Sequence, residues 1–208
     1  MTLLLGTFTM GFILSLLAAG VLISFRIFNF ADITAEGSLA LGASTAAVLI
    51  TAGSFGPAAA LFIPAMAGAA AGAITGVLHT KFKINALLSG ILVMTALYSI
   101  NLHVMGKSNV ALMNEQTIFT YFNKLLSISE SANKTVLILG FSASAKEAAA
   151  AALAFILASA GGALLYWFLG TEIGAAMRAT GDCPQMAAAL GVNTDLMIIA
   201  GLSVANAF

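Results

Sequence analysis

The residues with chemical potential are few, and each near-match to a catalytic motif lacks a required group. A serine nucleophile on a GxSG turn would support intramembrane acyl transfer. The nearest run, Leu87-Leu88-Ser89-Gly90, lacks the first glycine. An aspartyl GxGD site would need a glycine where Ala179 precedes Thr180-Gly181-Asp182. No HExxH zinc helix occurs. His79 and His103 fall at the ends of different apolar stretches, as interfacial histidines do, and do not form a ligand pair. Asn101-Leu-His-Val-Met-Gly106-Lys107-Ser108 is one residue short of a phosphate-binding loop. Such a loop needs a strand before it and a helix after it, and here an apolar stretch precedes it. The sequence thus assigns no catalytic residue, metal site or cofactor. Any ATP used by the system must be bound by another chain.

Two polar segments remain. Asn29, Asp32, Thr34, Glu36 and Ser38 lie just before and within a Gly/Ala/Ser/Thr-rich stretch. They fit either an unwound segment dipping into a helical bundle, as in transporter sites built on discontinuous helices, or an ordinary loop with Asp32 and Glu36 at the interface. The second segment runs from Gly174 to Asn193. It reads as a short helix, a Gly181-Asp182 turn, and a second short helix from Pro184, where proline suits a first helical turn. Asp182 is placed to cap that second helix and Gly191 to end it. An exposed bracket of this kind suits a docking partner; the plainer reading is a long polar loop. Polar groups inside otherwise apolar stretches, namely Asn85, Ser89, Thr95, Ser99 and Asn101, mark candidate pathway positions. Ser and Thr also satisfy their own helix backbones.

The elements that must position these groups are membrane helices. The chain has 208 residues, 61% hydrophobic and 8% charged, with zero formal net charge. Soluble domains carry about 25% charged residues, so this chain lacks the polar groups to cover itself in water. Its mean hydropathy of +1.04 agrees. Balanced charge gives no basic surface for nucleic acid, and the one cysteine, Cys183, has no intrachain disulfide partner. Five uncharged stretches, 3–24, 37–52, 57–78, 84–105 and 148–169, approach the ~20 residues needed to cross a bilayer. All eight Lys and Arg and all eight Asp and Glu fall outside them, as expected where a mid-bilayer charge costs about 2.5–3.5 kcal/mol.

The fold class predicted is all-α, a single polytopic transmembrane bundle over 1–208, with about five full spans and a truncated sixth from Leu196. Lipid is its surroundings. That last stretch is too short to cross, so the natural protein is expected to continue beyond it. The stretch 37–52 is short enough to suggest a broken or tilted helix. The apolar run 135–145 is read as re-entrant or interfacial. Gly68, Gly72 and Gly76 repeat every four residues on one helix face, the pattern that lets membrane helices pack closely. If all five stretches cross, loops 25–36, 79–83 and 170–195 share one side, with four Lys/Arg. Segments 53–56 and 106–147 share the other, also with four. Positive charge therefore leaves the orientation undecided. The 106–147 segment is a candidate outward-facing amphipathic cap.

Three runs carry a resemblance. GAAMRATGDCPQMAAALGVN (174–193) resembles the cytoplasmic coupling segment of ABC permeases of the branched-chain amino acid and ribose importer class. FNFADITAEGSLALGAS (28–44) resembles the polar-to-Gly/Ser segment of the same class. KINALLSGILVMTALYSINLHVMGKSN (83–109) is similar to one uncharacterised branch of it, labelled for tryptophan and tyrosine. The resemblance spans essentially the whole chain and departs at Cys183, where the pattern has Asn, and in the absent C-terminal spans.

The resemblance implies a membrane-spanning permease subunit of a bacterial importer in the cytoplasmic membrane, paired as a dimer. An ABC ATP-binding subunit would dock on Gly174, Arg178, Ala179, Gly181, Asp182, Pro184, Gly191 and Asn193. An extracytoplasmic substrate-binding protein would deliver a small solute, an amino acid on the family label. Loop 170–195 would be cytoplasmic, with the N-terminus and 106–147 outside. The competing reading is an ATP-independent secondary transporter or channel. That reading predicts a charged residue within a span or inverted repeats, and neither is seen in the sequence.

Overall fold

The computed structural model describes residues 2–52, 59–107, 109, 110, 112, 135–138 and 141–208. Helix α1 (Thr2–Leu22) runs into a π-helical turn, Ile23–Ile27. After a non-helical strap come α2 (Thr34–Ala52), α3 (Ala59–Thr80) and α4 (Ala86–Met105). Strands β1 (Thr135–Ile138) and β2 (Phe141–Ser144) precede α5 (Ala145–Leu169). Then follow α6 (Glu172–Asp182), α7 (Pro184–Ala189) and α8 (Thr194–Ala207). The fold is an all-α bundle with one small pair of strands. Five helical segments, at Leu4–Ile27, Thr34–Ala52, Ala59–Thr80, Ala86–Met105 and Glu147–Leu169, are long and apolar enough to cross a membrane. They match the five predicted stretches.

Two boundaries differ from expectation. The second span is neither short nor broken: it begins at Thr34, and its 19 residues cover about 28 Å. Polar Thr34 and Glu36 sit in its first turn, where an acidic side chain is favoured by the helix dipole. In the run read as re-entrant or interfacial, Thr135–Ile138 and Phe141–Ser144 instead pair as antiparallel strands, Thr135 with Ser144 and Ile138 with Phe141. The β-branched Thr135, Val136 and Ile138 favour that state. Most of the segment read as an amphipathic cap, including Glu115, Lys124, Glu130 and Lys134, lies outside the described residues, as does the start of the third stretch at Pro57.

Large apolar side chains such as Phe8, Phe62, Tyr166 and Trp167 are exposed on the outer surface, as suits a lipid-facing wall. The interior combines small and polar residues with two apolar clusters. One apolar cluster joins Ile23, Ile27, Leu165, Met177 and Ala205 from the π-helical turn, α5, α6 and α8. Another joins Leu41, Ala71, Val93 and Leu97 from α2, α3 and α4.

The glycine face of α3 has a definite partner. Gly68 faces the Asn206 carbonyl, Gly72 the Leu202 carbonyl and Gly76 the Ile199 Cα. α8 therefore lies antiparallel against α3, with backbones touching. At 14 residues, about 21 Å, α8 is shorter than the ~30 Å hydrocarbon core. Leu202 is completely buried, so the described part of α8 packs within the bundle.

The loops expected on one side do meet, while 53–56 and most of 106–147, expected on the other, lie outside the described residues. Gly181 in α6 lies against the end of the π-helical turn at Ile27 and Phe28. Phe30 packs edge-on against His79 at the end of α3, with ring centroids 5.0 Å apart. The loops after α1 and α3 and the α6–α7 segment therefore share one end of the bundle.

Candidate functional site

A buried polar seam runs along the inner face of α2. The strap Phe28–Ile33 leaves the π-helical turn with the Phe30 amide donating to the Ser24 carbonyl at 3.0 Å. It then folds back into the bundle, so that Asp32 is 6% exposed. Asp32 thus lies inside the bundle, as in the inward-dipping reading, while Asn29 and Glu36 are exposed, as in the plain-loop reading. Asp32 Oδ1 accepts from the Thr34 amide at 2.8 Å, which starts α2. Asp32 Oδ2 accepts from Asn206 Nδ2 on α8 at 2.8 Å. Ser38 Oγ donates to Asn206 Oδ1 at 2.8 Å, closing a three-residue chain across α2 and α8.

Beside it, the Thr34 and Thr75 hydroxyls meet at 2.9 Å. Thr75 Oγ1 also donates to the Ala71 carbonyl, which leaves Thr34 as the donor between the two. A Cβ on Gly90 would sit 3.1 Å from the Ile33 nitrogen, so α4 meets the strap at Gly90; neighbouring Ser89 is fully buried and donates to the Ala86 carbonyl of its own helix. Further along α2, Ser44 Oγ lies 3.4 Å from Asn101 Oδ1, a long and weak contact.

The candidate pathway residues thus separate. Asp32, Thr34 and Ser38 converge at the strap, and Ser89 and Asn101 are buried on α4. Asn29, Glu36, Asn85 and Thr95 are exposed on the isolated chain, as is Ser99. Asn85 caps α4, its Oδ1 accepting from the Leu87 amide, and Thr95 bonds back to its own helix at Ile91 and Leu92. Asn206, Thr75 and Ser44 are seam residues that sequence reasoning missed. The available signal for Asn206 was a lone amide in the apolar stretch from Leu196, since intramembrane polar groups are costly enough to mark function.

The bracket 174–193 has two faces. Gly174, Met177, Thr180 and Ala187 are buried against the bundle. Arg178, Ala179, Asp182, Cys183 and Pro184 are exposed. Thr171 caps α6, its Oγ1 accepting from the Gly174 amide at 3.3 Å. Asn193 caps α8 through the Leu196 amide at 3.2 Å.

The expected Gly-Asp turn is absent. Gly181 and Asp182 complete α6, and the chain reverses at Cys183, whose φ/ψ is −150°/89°. Asp182 accordingly does not cap α7. Gly174 and Gly181 serve close approach rather than turning: a Cβ on Gly174 would lie 2.6 Å from the Phe168 and Leu169 carbonyls, and one on Gly181 would overlap the Ile27 carbonyl. Gly191 does turn. At φ +86° its amide donates to the Ala188 carbonyl at 3.0 Å and the Val192 amide to Ala187 at 3.1 Å, the Schellman closure that favours glycine.

Among the described residues no three His, Cys, Asp or Glu side chains converge as metal ligands. His79 Nδ1 donates to the Ile84 carbonyl at 2.8 Å, and His103 lies exposed on α4. The run 101–108 is not a phosphate loop: Asn101 to Met105 are the last turn of α4, and Gly106 is its left-handed cap.

Comparison with known proteins accords with this geometry. The chain is 38% identical over 203 residues to a tyrosine transport system permease protein of Clostridioides difficile (strain R20291), covering 98% of this chain and 60% of that relative. It is 35% identical over 104 residues, half of this chain, to an uncharacterised protein of Rickettsia prowazekii (strain Madrid E), of whose length the match covers 36%. No solved structure matches it significantly. The family model for the permease component of branched-chain amino acid transport systems matches residues 3–207. With five apolar helices around an inward polar seam, the chain is a multi-pass protein of the cytoplasmic membrane and belongs to the branched-chain amino acid transport system permease family.

Proposed function

We propose that this chain forms the membrane pathway of an ABC importer for a small solute of the amino-acid class, with ATP hydrolysed by a separate subunit. The observation that carries the reading is the bracket: its buried face is locked to the bundle while Arg178, Ala179, Asp182 and Pro184 face outward. That is the geometry of a handle through which a partner's motion reaches the helices. The ATP-binding subunit docks there, on the cytoplasmic side. A substrate-binding protein delivers solute at the opposite end, and two permease chains pair around the pathway. Closure of the ATPases on ATP pulls the bracket, and the bundle alternates its access.

The seam Asp32, Thr34, Ser38, Thr75 and Asn206 supplies buried polar groups where α2, α3 and α8 meet. An aromatic amino acid is the first solute to test, because the relative matched along most of this chain is named for tyrosine transport. Reversing the charge at exposed Arg178 tests the handle. Arg178→Glu in the complex reconstituted in proteoliposomes is expected to leave ATP hydrolysis running while uptake stops. Unchanged uptake would remove the bracket from the mechanism.

A further inference from the structure

Resting on the permease reading, we propose that the strap Phe28–Ile33 transmits bracket motion to the polar seam, with Phe28 as the positioning residue at its outer end and Asp32 at its inner end. Three contacts define the element. First, Gly181 of α6 meets the Ile27 carbonyl and Phe28 Cα with no room for a Cβ. Backbone touches backbone there, and no side chain intervenes to absorb a displacement. Second, the Phe28 ring fills the notch that Gly201 leaves on α8, where a Cβ would overlap the ring. Third, the strap ends on Asp32, which holds the start of α2 through the Thr34 amide and the far end of α8 through Asn206.

The turn from which the strap springs is π-helical. Such turns are local insertions found often at functional sites, and they are among the places where a helix kinks. Phe30, almost fully buried beside His79, anchors the strap to α3. A displacement of α6 therefore moves Phe28 against Gly201 and turns Asp32 against Asn206. The two helices that bear the seam shift together. The covalent route from α7 through Asn193 reaches only the near end of α8, which is why the strap is a separate connection.

The test uses the assembled complex in proteoliposomes, measuring ATP hydrolysis and uptake of radiolabelled tyrosine on the same sample. Phe28→Ala empties the Gly201 notch and leaves the bracket surface untouched. It is expected to retain the ATPase partner and most hydrolysis, while solute moved per ATP falls by about tenfold. Phe28→Tyr, which refills the notch, is expected to restore most of that ratio. Should Phe28→Ala fail to assemble, Phe28→Cys with Gly201→Cys in a Cys183→Ser background provides the readout. Bridging with a short, reducible bis-thiol reagent is expected to stop uptake but not hydrolysis, and reduction to restore uptake in the same vesicles.

The strap proposal is overturned if the ratio stays at the wild-type value in Phe28→Ala, if hydrolysis and uptake fall in parallel, or if bridging has no effect. A wild-type complex that takes up tyrosine without ATP would instead overturn the importer reading. A wild-type complex that hydrolyses ATP without moving tyrosine would reject that solute, and the ratio is then read with the solute the cognate binding protein holds.

Discussion

Replacing Gly72 by alanine should loosen the molecule's tightest helix pair. A Cβ at Gly72 would overlap the Leu202 carbonyl oxygen and stand 2.7 Å from its carbon and 3.0 Å from Asn206 Cβ. At Gly76 the obstacle is Ile199 Cα at 2.8 Å. Carbon atoms settle at about 3.5–4.0 Å, so α3 and α8 must part by roughly 1 Å. The blocking atoms are backbone and cannot rotate away. Overpacking of this kind costs about 1–3 kcal/mol. Separation also stretches the 2.8 Å Asn206–Asp32 bond, worth about 0.6–1.7 kcal/mol between membrane helices. Against this, alanine gains up to about 1 kcal/mol of helix propensity. The balance for Gly72→Ala is a loss of about 2 kcal/mol, or a melting temperature lower by on the order of 5 °C.

Gly11 and Gly162 are internal controls, since nothing lies within 4 Å of a Cβ at either. Alanine there should leave melting unchanged or raise it. The assay is thermal unfolding of purified protein in mild detergent, followed by intrinsic fluorescence. A Gly72→Ala protein that melts at or above the wild type would refute the account of close α3–α8 contact.

Further outcomes follow from the same contacts. Asn206→Leu deprives Asp32 Oδ2 of its donor and should cost about 1–3 kcal/mol of stability, whereas Ser44→Ala, which removes only a 3.4 Å contact across helices, should shift melting by less than a degree or two; equal effects would contradict the ranking. Gly191→Val forces a β-branched residue to φ +86°, costing about 1–2 kcal/mol, and should raise protease sensitivity across 184–193, while Gly191→Asn is tolerated. Gly181→Val wedges α6 away from Ile27 and should weaken ATPase co-purification while α1 to α5 stay folded, as judged by unchanged circular dichroism.

The spans were legible because lipid excludes charge so strongly that every Lys, Arg, Asp and Glu lies outside the uncharged stretches. The glycine face of α3 was legible for a similar reason, since four-residue spacing of the smallest side chain has few other causes. Its partner was not: Gly72 and Leu202 are brought together only by the tertiary fold. Asp32 shows the limit most clearly. In sequence it is a polar residue before a Gly-rich stretch, compatible with a loop. Its burial depends on Asn206, 174 positions away, in a stretch that reads simply as apolar. Asp182 was misassigned as a cap because local capping preferences point to it. The close approach of Gly181 to Ile27 keeps both residues helical and moves the reversal to Cys183. The strand pair at 135–138 and 141–144 is ambiguous by nature, since a short apolar run carries no periodicity that separates strand from helix.

The most direct test of the central claim is co-purification. The complete gene product is tagged, extracted from its host in mild detergent, and its bound chains are identified by mass spectrometry, beside Arg178→Glu and Gly181→Val variants. The account predicts an ATP-binding subunit with the wild type, and its loss or depletion with Gly181→Val. Recovery of no ATPase under conditions that preserve other ABC complexes, together with tyrosine uptake that persists without ATP, would contradict it.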